Sequence, residues 1–501
     1  MKKFMLITVT FILIGSFFWS GCQKSAGLQM VQYPVKDDPT VSFRLWFKVG
    51  SMNDPVGKEG LAALTANMIT RGATQKHSLE EITDLLYPMA AGINNQVDKE
   101  MTIIYGRTHK DNLKDYYAIL KEVVMEPAFK EEDFERIKTN TLNYLEKTLR
   151  YADDEELGKE VLSEFVYIGT TYQHIEEGYI SGIKNITLDD VKSFYRKLYT
   201  RGNLVIGLGG GYDTAFAEQV KKDFSQLPPG ASKEVPKPKV SPIDGMEIRI
   251  VEKDANATAI SFGFPIDVLR GEKDYYALAI ANSWLGEHRN SSSHLYQVIR
   301  ETRGLNYGDY SYIEHFPNGG RRQFPPPNVA RRQQMFQIWI RPVPNYAKMF
   351  AFRAALRELQ KLVDNGMSED DFQLTKKFLN NYVLHYAPTT MMKLGYAMDD
   401  VFYGIQGNHL KKFQQMLNQL TLEDVNAAIK KHLQYRNLKV VFVTNDAETL
   451  KDRLINNLPS PIRYDTPKPK AVLAEDHEIA NYPLHVKAEH VKILKLDSLF
   501  E

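Results

Sequence analysis

Histidine is the side chain that most often binds a metal, and the histidines of this chain lie far apart in the sequence. Twelve histidines occur among 501 residues, and no two of them lie within four residues of each other. One helix can present two histidines to a zinc ion only when they are three or four residues apart, because only those positions share a face. The closest pair is His485 and His490. The spacing therefore argues against zinc bound by one helix, while a site built from distant histidines and carboxylates stays open.

No nucleophile for covalent catalysis can be recognised either. The G-x-S-x-G turn that presents a catalytic serine does not occur, and the one cysteine is Cys22. The glycine run GLGGGYD, from Gly207, has Tyr212 where the phosphate-binding pattern G-x-G-x-x-G needs its third glycine. We interpret this run as a turn at the end of a strand.

Cys22 follows a segment that is typical of a bacterial lipoprotein signal. Two lysines precede an apolar run over residues 4–18, and two small residues come directly before Cys22. The run is short for a membrane-spanning helix but matches the charged and apolar regions of an export signal. We expect residues 1–22 to be a signal peptide with Cys22 lipidated. The protein would then be anchored in the bacterial cell envelope, facing the periplasm at the outer membrane. The alternative is a buried thiol without a chemical role.

The overall composition is that of a globular protein with more than one domain. Hydrophobic residues make up 43% and charged residues 25% of the chain, and the formal net charge is +1. A chain of 501 residues exceeds what one compact core usually holds. Because the net charge is close to zero, nothing global attracts nucleic acid, and we expect no nucleic-acid partner.

Two pairs of segments indicate an internal duplication. TLDDVKSFYRKLYTRGNLVIGL begins at Thr187, and TLEDVNAAIKKHLQYRNLKVVF begins at Thr421, an offset of 234 residues. Each predicts a capped helix that leads into an apolar strand. Upstream, EEDFERIKTNTLNYLEK from Glu131 is echoed by EDDFQLTKKFLNNYVLH from Glu369. We therefore predict two copies of one α+β domain.

A proline-rich connector separates the two predicted domains. Alternating strands and long amphipathic helices favour a segregated α+β fold in each copy, with a mainly antiparallel sheet. The predicted domains are residues 29–226 and 246–459. Five prolines within residues 227–245 favour an extended, semi-rigid linker. Residues 460–501 form a C-terminal extension that could return as strands, and its role stays open.

One further segment stands apart from the two copies. Residues 315–334 are broken by prolines and carry four arginines. This composition is typical of a loop, which we interpret as a surface excursion that could contact a partner.

Two stretches carry a resemblance to a known enzyme family. They are VGSMNDPVGKEGLAALTANM near the start and SSSHLYQVIRETRGLNYGDYSY in the second copy. With the duplicated layout over about residues 29–459, the chain resembles the insulinase/pitrilysin zinc peptidases, the inverzincins. The resemblance implies two insulinase-like domains that form half of a clam-shell chamber. In active members, one helix carries H-x-x-E-H, with two zinc ligands and a general base, and a later helix supplies a glutamate ligand.

The residues at the positions of this zinc site lack its chemistry. The resemblance places the first histidine at Ala63, the base at Ala66 and the second histidine at Asn67. The later glutamate falls at Asn143. Alanine can neither bind a metal nor accept a proton, and a neutral amide is a poor zinc ligand. We expect no metal on this chain.

The second copy keeps the other half of the site that the resemblance implies. Active members supply an arginine and, seven residues later, a tyrosine that reach the bound peptide. RETRGLNY places Arg300 and Tyr307 at this spacing. Guanidinium and phenol groups can donate hydrogen bonds to a peptide carbonyl or to an oxyanion. The alternative is an arginine paired with a nearby carboxylate and a partly buried tyrosine.

These residues lead to three hypotheses. The first is a non-catalytic subunit that donates Arg300 and Tyr307 to a zinc-bearing partner of the same family, with zinc on that partner only. The peptide substrate would add to a sheet edge, for which residues 90–98 are the candidate strand. The second is a scaffold or binding lipoprotein that keeps the peptidase fold and has no role in proteolysis. The third is an independent peptidase with an unorthodox site.

Overall fold

The computed structural model describes residues 28–231, 234–317 and 322–501. Cys22 and the predicted signal peptide lie outside these residues. Among the helices in the described ranges, none combines the length and the apolar character needed to cross a membrane. The described chain forms two sheets, each with its own set of helices, and the predicted α+β class is confirmed.

The first sheet has five strands and is mainly antiparallel. Its strands are β1 (Gln29–Pro34), β2 (Thr40–Phe47), β3 (Gly92–Val97), β4 (Thr102–His109) and β5 (Leu204–Gly210). They lie in the order β1-β5-β2-β4-β3. Only β1 and β5 run parallel to each other. β3 is the last strand in this order and therefore forms one edge of the sheet, as predicted for residues 90–98.

The second sheet repeats this order and adds one strand. Its strands are β6 (Met246–Glu252), β7 (Ala257–Ile266), β8 (Asp309–Tyr312), β9 (Gln334–Pro344), β10 (Leu438–Thr444) and β11 (Val491–Lys495). The order β11-β6-β10-β7-β9-β8 reproduces the first sheet once β11 is set aside. β5 and β10 begin at the offset that the sequence repeat gives. The predicted duplication is therefore confirmed.

Within the described residues, the α-helices also fall into two sets of eight. The first set is α1 (Leu61–Arg71), α2 (Leu79–Leu86), α3 (Leu113–Met125), α4 (Glu131–Asn143), α5 (Asp154–Val166), α6 (Ile180–Asn185), α7 (Leu188–Leu198) and α8 (Thr214–Phe224). The second set is α9 (Lys273–Gly286), α10 (Lys348–Asn365), α11 (Glu369–Tyr382), α12 (Thr390–Tyr403), α13 (His409–Gln419), α14 (Leu422–His432), α15 (Ala447–Ile455) and α16 (Lys470–Ala480). Thr187 and Thr421 cap α7 and α14 through capping boxes, as the repeated segments predict.

Each domain contributes one helix to the sheet of the other domain. α5 of the first domain packs against the second sheet, and its Leu157 shares a hydrophobic cluster with Val443 of β10. α12 of the second domain packs against the first sheet, where Met398 lies in one cluster with Trp46 of β2. The two domains are therefore interlocked rather than placed side by side.

The glycine run from Gly207 lies largely within β5, so its interpretation as a strand-end turn is wrong for this part. A Cβ on Gly207 would come within 2.5 Å of the Met398 sulfur, and one on Gly209 would lie 3.2 Å from a methyl group of Thr390. The absence of side chains allows α12 to approach the sheet closely. The glycines thus serve the contact between domains.

The loop of residues 315–334 is buried between the domains over its second half, so its interpretation as a surface excursion is wrong there. Arg331 is only 3% exposed. Its Nε donates to Asp98 Oδ1 at 2.6 Å, and its Nη2 donates to Glu176 Oε1 at 2.8 Å. Both carboxylates belong to the first domain. The arginine is buried because these carboxylates, removed from water, need a cation.

The C-terminal extension joins both domains. β11 pairs in parallel with β6 and widens the second sheet, which confirms the expected return of this segment as a strand. Leu499 and Phe500 then enter the hydrophobic core of the first domain. The Ile180 N–H donates to the Phe500 carbonyl at 2.7 Å, and the Arg150 guanidinium donates to the Leu499 carbonyl. The extension is a strap that starts on one domain and ends in the other.

Candidate functional site

Helix α1, which the sequence identifies as the position of a zinc helix, begins at a turn fixed by a buried carboxylate. Gly60 precedes the helix with φ of 101°, a conformation that costs glycine little. The Asp54 carboxylate accepts the N–H groups of Gly60 and Ala62, each at 2.7 Å. His174 Nε2 lies 3.1 Å from the same carboxylate. Burial raises the pKa of Asp54, and the hydrogen bonds oppose this rise.

The four degenerate positions lie on two helices that pack together. Ala66 is buried, and Ala63 and Asn67 are half-buried on the same helix face. Asn143 is the last residue of α4, which packs against α1, and it is exposed. The architecture of the zinc helices is therefore present. Its donor atoms are replaced by two methyl groups and two neutral amides, which do not fit a zinc ion.

Asn95, on the edge strand β3, ties that strand to α1 where a metal site would be expected. Its Nδ2 lies 2.6 Å from Thr70 Oγ1, 3.2 Å from Asn67 Oδ1 and 3.4 Å from the Ala66 carbonyl oxygen. Asn67 is thus an acceptor in a polar network within the chain. The sequence analysis missed Asn95 because its role depends on which residues of β3 face α1. The alternation of the strand could have suggested it once the register was known.

The ranges 28–231, 234–317 and 322–501 contain no group of three or more His, Cys, Asp or Glu side chains that could hold a metal ion.

Glu177, a half-buried residue, lies beside the start of α1. Its carbonyl oxygen would be 2.5 Å from a Cβ placed on Gly60, so the two backbones are in close contact. Burial, together with the neighbouring Glu176 carboxylate, raises the pKa of Glu177 to about 7. This group changes charge near neutral pH, and spacing along the sequence gives no signal for it.

In the second domain, Tyr307 projects from the loop between α9 and β8. Its side chain is 76% exposed. The buried-tyrosine alternative therefore does not describe it. Its phenol makes no hydrogen bond to any residue that the structure describes. It is available as a donor to another molecule.

Arg300 lies in a π-helical turn, Tyr296–Glu301, directly before this loop. Its Nη1 forms an ion pair with Glu301 at 3.2 Å, and the guanidinium lies 5.8 Å from the centre of the Tyr296 ring. Its Nε is buried and has no acceptor among the residues that the structure describes. Arg300 therefore has one carboxylate neighbour, as the alternative interpretation expects, while its side chain remains 36% exposed.

The two halves of the predicted site lie on different elements of the chain. Over the described residues, no hydrogen bond or ion pair joins Arg300 or Tyr307 to Ala63, Asn67 or Asn143. The degenerate helix belongs to the first domain and the donor pair to the second.

Comparison with known families gives two matches along the chain. Residues 31–175 match the insulinase family, peptidase family M16, and residues 185–379 match the M16 peptidase inactive domain. Together these ranges include α1, Arg300 and Tyr307 and cover more than half of the chain.

Individual relatives agree with these matches. The chain is 23% identical over 465 residues to a Helicobacter pylori protein called non-peptidase homolog YmxG, covering 89% of this chain and 99% of that protein. It is 22% identical over 269 residues to the mitochondrial-processing peptidase subunit beta of Dictyostelium discoideum, covering 52% and 56%. Its fold resembles a crystal structure of a peptidase M16 inactive domain from Pseudomonas fluorescens, with a TM-score of 0.73, 23% identity and coverage of 84% and 96%. The chain therefore belongs to the insulinase family of peptidases, M16.

Proposed function

We propose that this chain is the non-catalytic subunit of a heteromeric envelope peptidase. It would donate Arg300 and Tyr307 to the active site of a zinc-bearing M16 partner. The observation that carries the proposal is an asymmetry between the two domains. The first domain has the zinc helices without donor atoms, and the second presents an exposed phenol at the donor position.

The electrostatics of the donor pair support this role. The phenol of Tyr307 is exposed, and the Arg300 side chain is 36% exposed, so other molecules can reach both side chains. A peptide carbonyl gains negative charge when water attacks it, and donors already aimed at the oxygen stabilise that charge. Zinc on the partner would activate the water. This chain would hold the peptide and stabilise the oxyanion.

Two relatives make a paired arrangement reasonable. One is named as a subunit of a processing peptidase, and another is named as a non-peptidase homolog. A chain without zinc ligands that keeps donor residues fits such a pair. The edge strand β3 would offer main-chain hydrogen bonds to an extended peptide, which demand little sequence specificity.

We further propose that Cys22 is lipidated and anchors this subunit at the outer membrane, facing the periplasm. One acyl chain binds membranes only marginally, and several chains on one cysteine give a stable anchor. Mass spectrometry of the N-terminal peptide from detergent-solubilised envelope tests this point. An unmodified Cys22 in the mature protein would contradict it.

The donor role predicts a loss of activity that depends on the partner. The lipidated chain is used to capture its partner from solubilised envelope, and the complex is assayed on a mixture of unstructured peptides. Tyr307→Phe and Arg300→Ala should each lower kcat by about 100-fold, since the loss of one oxyanion donor costs two to three orders of magnitude. Tyr346→Phe, at another exposed tyrosine, is the matched control and should leave kcat unchanged.

Two results would contradict the proposal. If both donor variants retain full activity in the complex, the donor role is wrong. If a stable complex shows no peptidase activity in any combination, the scaffold hypothesis is favoured instead. Metal analysis adds a separate check, because zinc should follow the partner and be absent from this chain purified alone.

A further inference from the structure

The turn that carries Tyr307 has an unusual burial pattern. Tyr307 is the one exposed residue in a stretch whose other members from Leu305 to Asp309 are buried. Asn306 is 7% exposed and Asp309 is completely buried. A loop that is free to move would expose several of these residues. In this segment the side chain of Tyr307 is exposed, while the residues on either side of it are buried.

The Asn306 side chain holds the base of the turn together. Its Nδ2 donates to Asp309 Oδ1 at 2.7 Å, to the Arg341 carbonyl at 3.2 Å and to the Gly308 carbonyl at 3.3 Å. Its Oδ1 accepts the Gly308 N–H at 3.3 Å. One amide thus bonds to the backbone directly after Tyr307, to a neighbouring strand and to a buried carboxyl group.

The carboxyl group of Asp309 completes this arrangement. It is buried far from water, which raises the pKa of Asp309 well above its ordinary value. Its Oδ1 accepts from Asn306, and its Oδ2 has no hydrogen-bond partner in the part of the chain that the structure describes. A neutral carboxylic acid suits this position, because the proton can lie on the unpartnered oxygen without a buried charge.

The backbone fixes both ends of the turn. The Gly304 N–H donates to the Arg300 carbonyl at 2.7 Å, and the Arg341 N–H donates to the Gly308 carbonyl at 3.1 Å. Gly308 has φ of 155°, and a Cβ there would lie 2.2 Å from the Tyr310 hydroxyl. These backbone hydrogen bonds hold the segment from Arg300 to Tyr307 in one conformation, and they do not use the side chain of either residue.

We propose that Asn306, with Asp309 as its acceptor, is the positioning residue for Tyr307. It holds the exposed phenol at a fixed place relative to Arg300 before any partner or peptide binds. This inference rests on the proposed donor function. Positioned groups lose much of their effect when displaced by about 1 Å, and such a shift can cost up to about 100-fold in rate.

A double-mutant cycle in the reconstituted peptidase tests the inference. Asn306→Ala should lower kcat about tenfold with little change in KM, because Tyr307 acts on the reacting carbonyl rather than on peptide affinity. In a Tyr307→Phe background, Asn306→Ala should have almost no further effect. Asn345→Ala is the matched control, since Asn345 also joins backbone and side-chain groups in the second domain, and it should leave kcat unchanged.

The outcomes separate the two proposals. If Tyr307→Phe has no effect, the donor function fails and the positioning role fails with it. If Tyr307→Phe lowers kcat but Asn306→Ala does not, or if the two losses multiply, only the positioning role is overturned. Should Asn306→Ala fail to fold, Asp309→Asn and Asp309→Leu replace it. The asparagine keeps an acceptor for Asn306 and should retain kcat, whereas the leucine should lose it, and equal values would overturn the role.

Discussion

Replacing Arg331 by methionine is expected to lower the free energy of unfolding by about 3–5 kcal/mol, the usual cost of breaking a buried ion pair by removing one partner. The change leaves Asp98 and Glu176 with fewer donors while the side-chain volume is largely kept. His315 Nε2 lies 3.3 Å from Asp98, and burial together with the Arg331 guanidinium holds the pKa of His315 well below its ordinary value. Urea unfolding followed by circular dichroism measures the loss.

The control for this variant is Arg436→Met. Arg436 is exposed and stacks on Tyr435 at 5.4 Å, so its replacement should change stability by less than about 0.5 kcal/mol. If Arg331→Met is as stable as the control, the ion pairs between the domains contribute nothing net. The buried half of the loop would then be held by packing alone.

The second large effect is expected at Phe500, in the strap. Phe500 is 3% exposed and lies in the core of the domain opposite to the one the strap leaves. Phe500→Ala should cost about 3–5 kcal/mol, because it removes buried aromatic surface and leaves a cavity. Thermal unfolding of the full chain measures the effect.

Leu473→Ala is a matched control within the same extension, since Leu473 is largely exposed on α16. It should leave the midpoint of unfolding unchanged. A Phe500→Ala protein as stable as this control would show that the end of the strap does not hold the first domain.

The fold was predictable where information is local or repeated. The capped helices at Thr187 and Thr421 and the strands that follow them are encoded by short patterns, and the repetition of those patterns gave the duplication. The loss of metal chemistry at Ala63, Ala66 and Asn67 followed from the family resemblance that one stretch of sequence carries. In each case the signal lies in short, continuous segments of the chain.

The features that the sequence did not predict depend on contacts between residues that are distant along the chain. The arginine-rich loop has the composition of an exposed segment, and nothing near Arg331 in the sequence shows that Asp98 and Glu176 lie opposite. The glycines of β5 can be explained only by the close approach of Met398 on α12, which the sequence does not show. Asn95 was missed because its partners on α1 lie 25 to 29 residues away along the chain. Asn306 bonds to the nearby Gly308 and Asp309, but its contact with Arg341 spans 35 residues and is not visible in the sequence.

The exchange of α5 and α12 has a consequence for how the chain reaches its native state. α5 ends at Val166, but β10, on which it packs, begins only at Leu438. During synthesis, the apolar face of α5 has no sheet to cover it until almost the whole chain has emerged. Native contacts of such long sequence separation form slowly and leave intermediates open to aggregation. Separating the halves at residues 227–245 would therefore yield two fragments that each need the other to fold, rather than two autonomous domains.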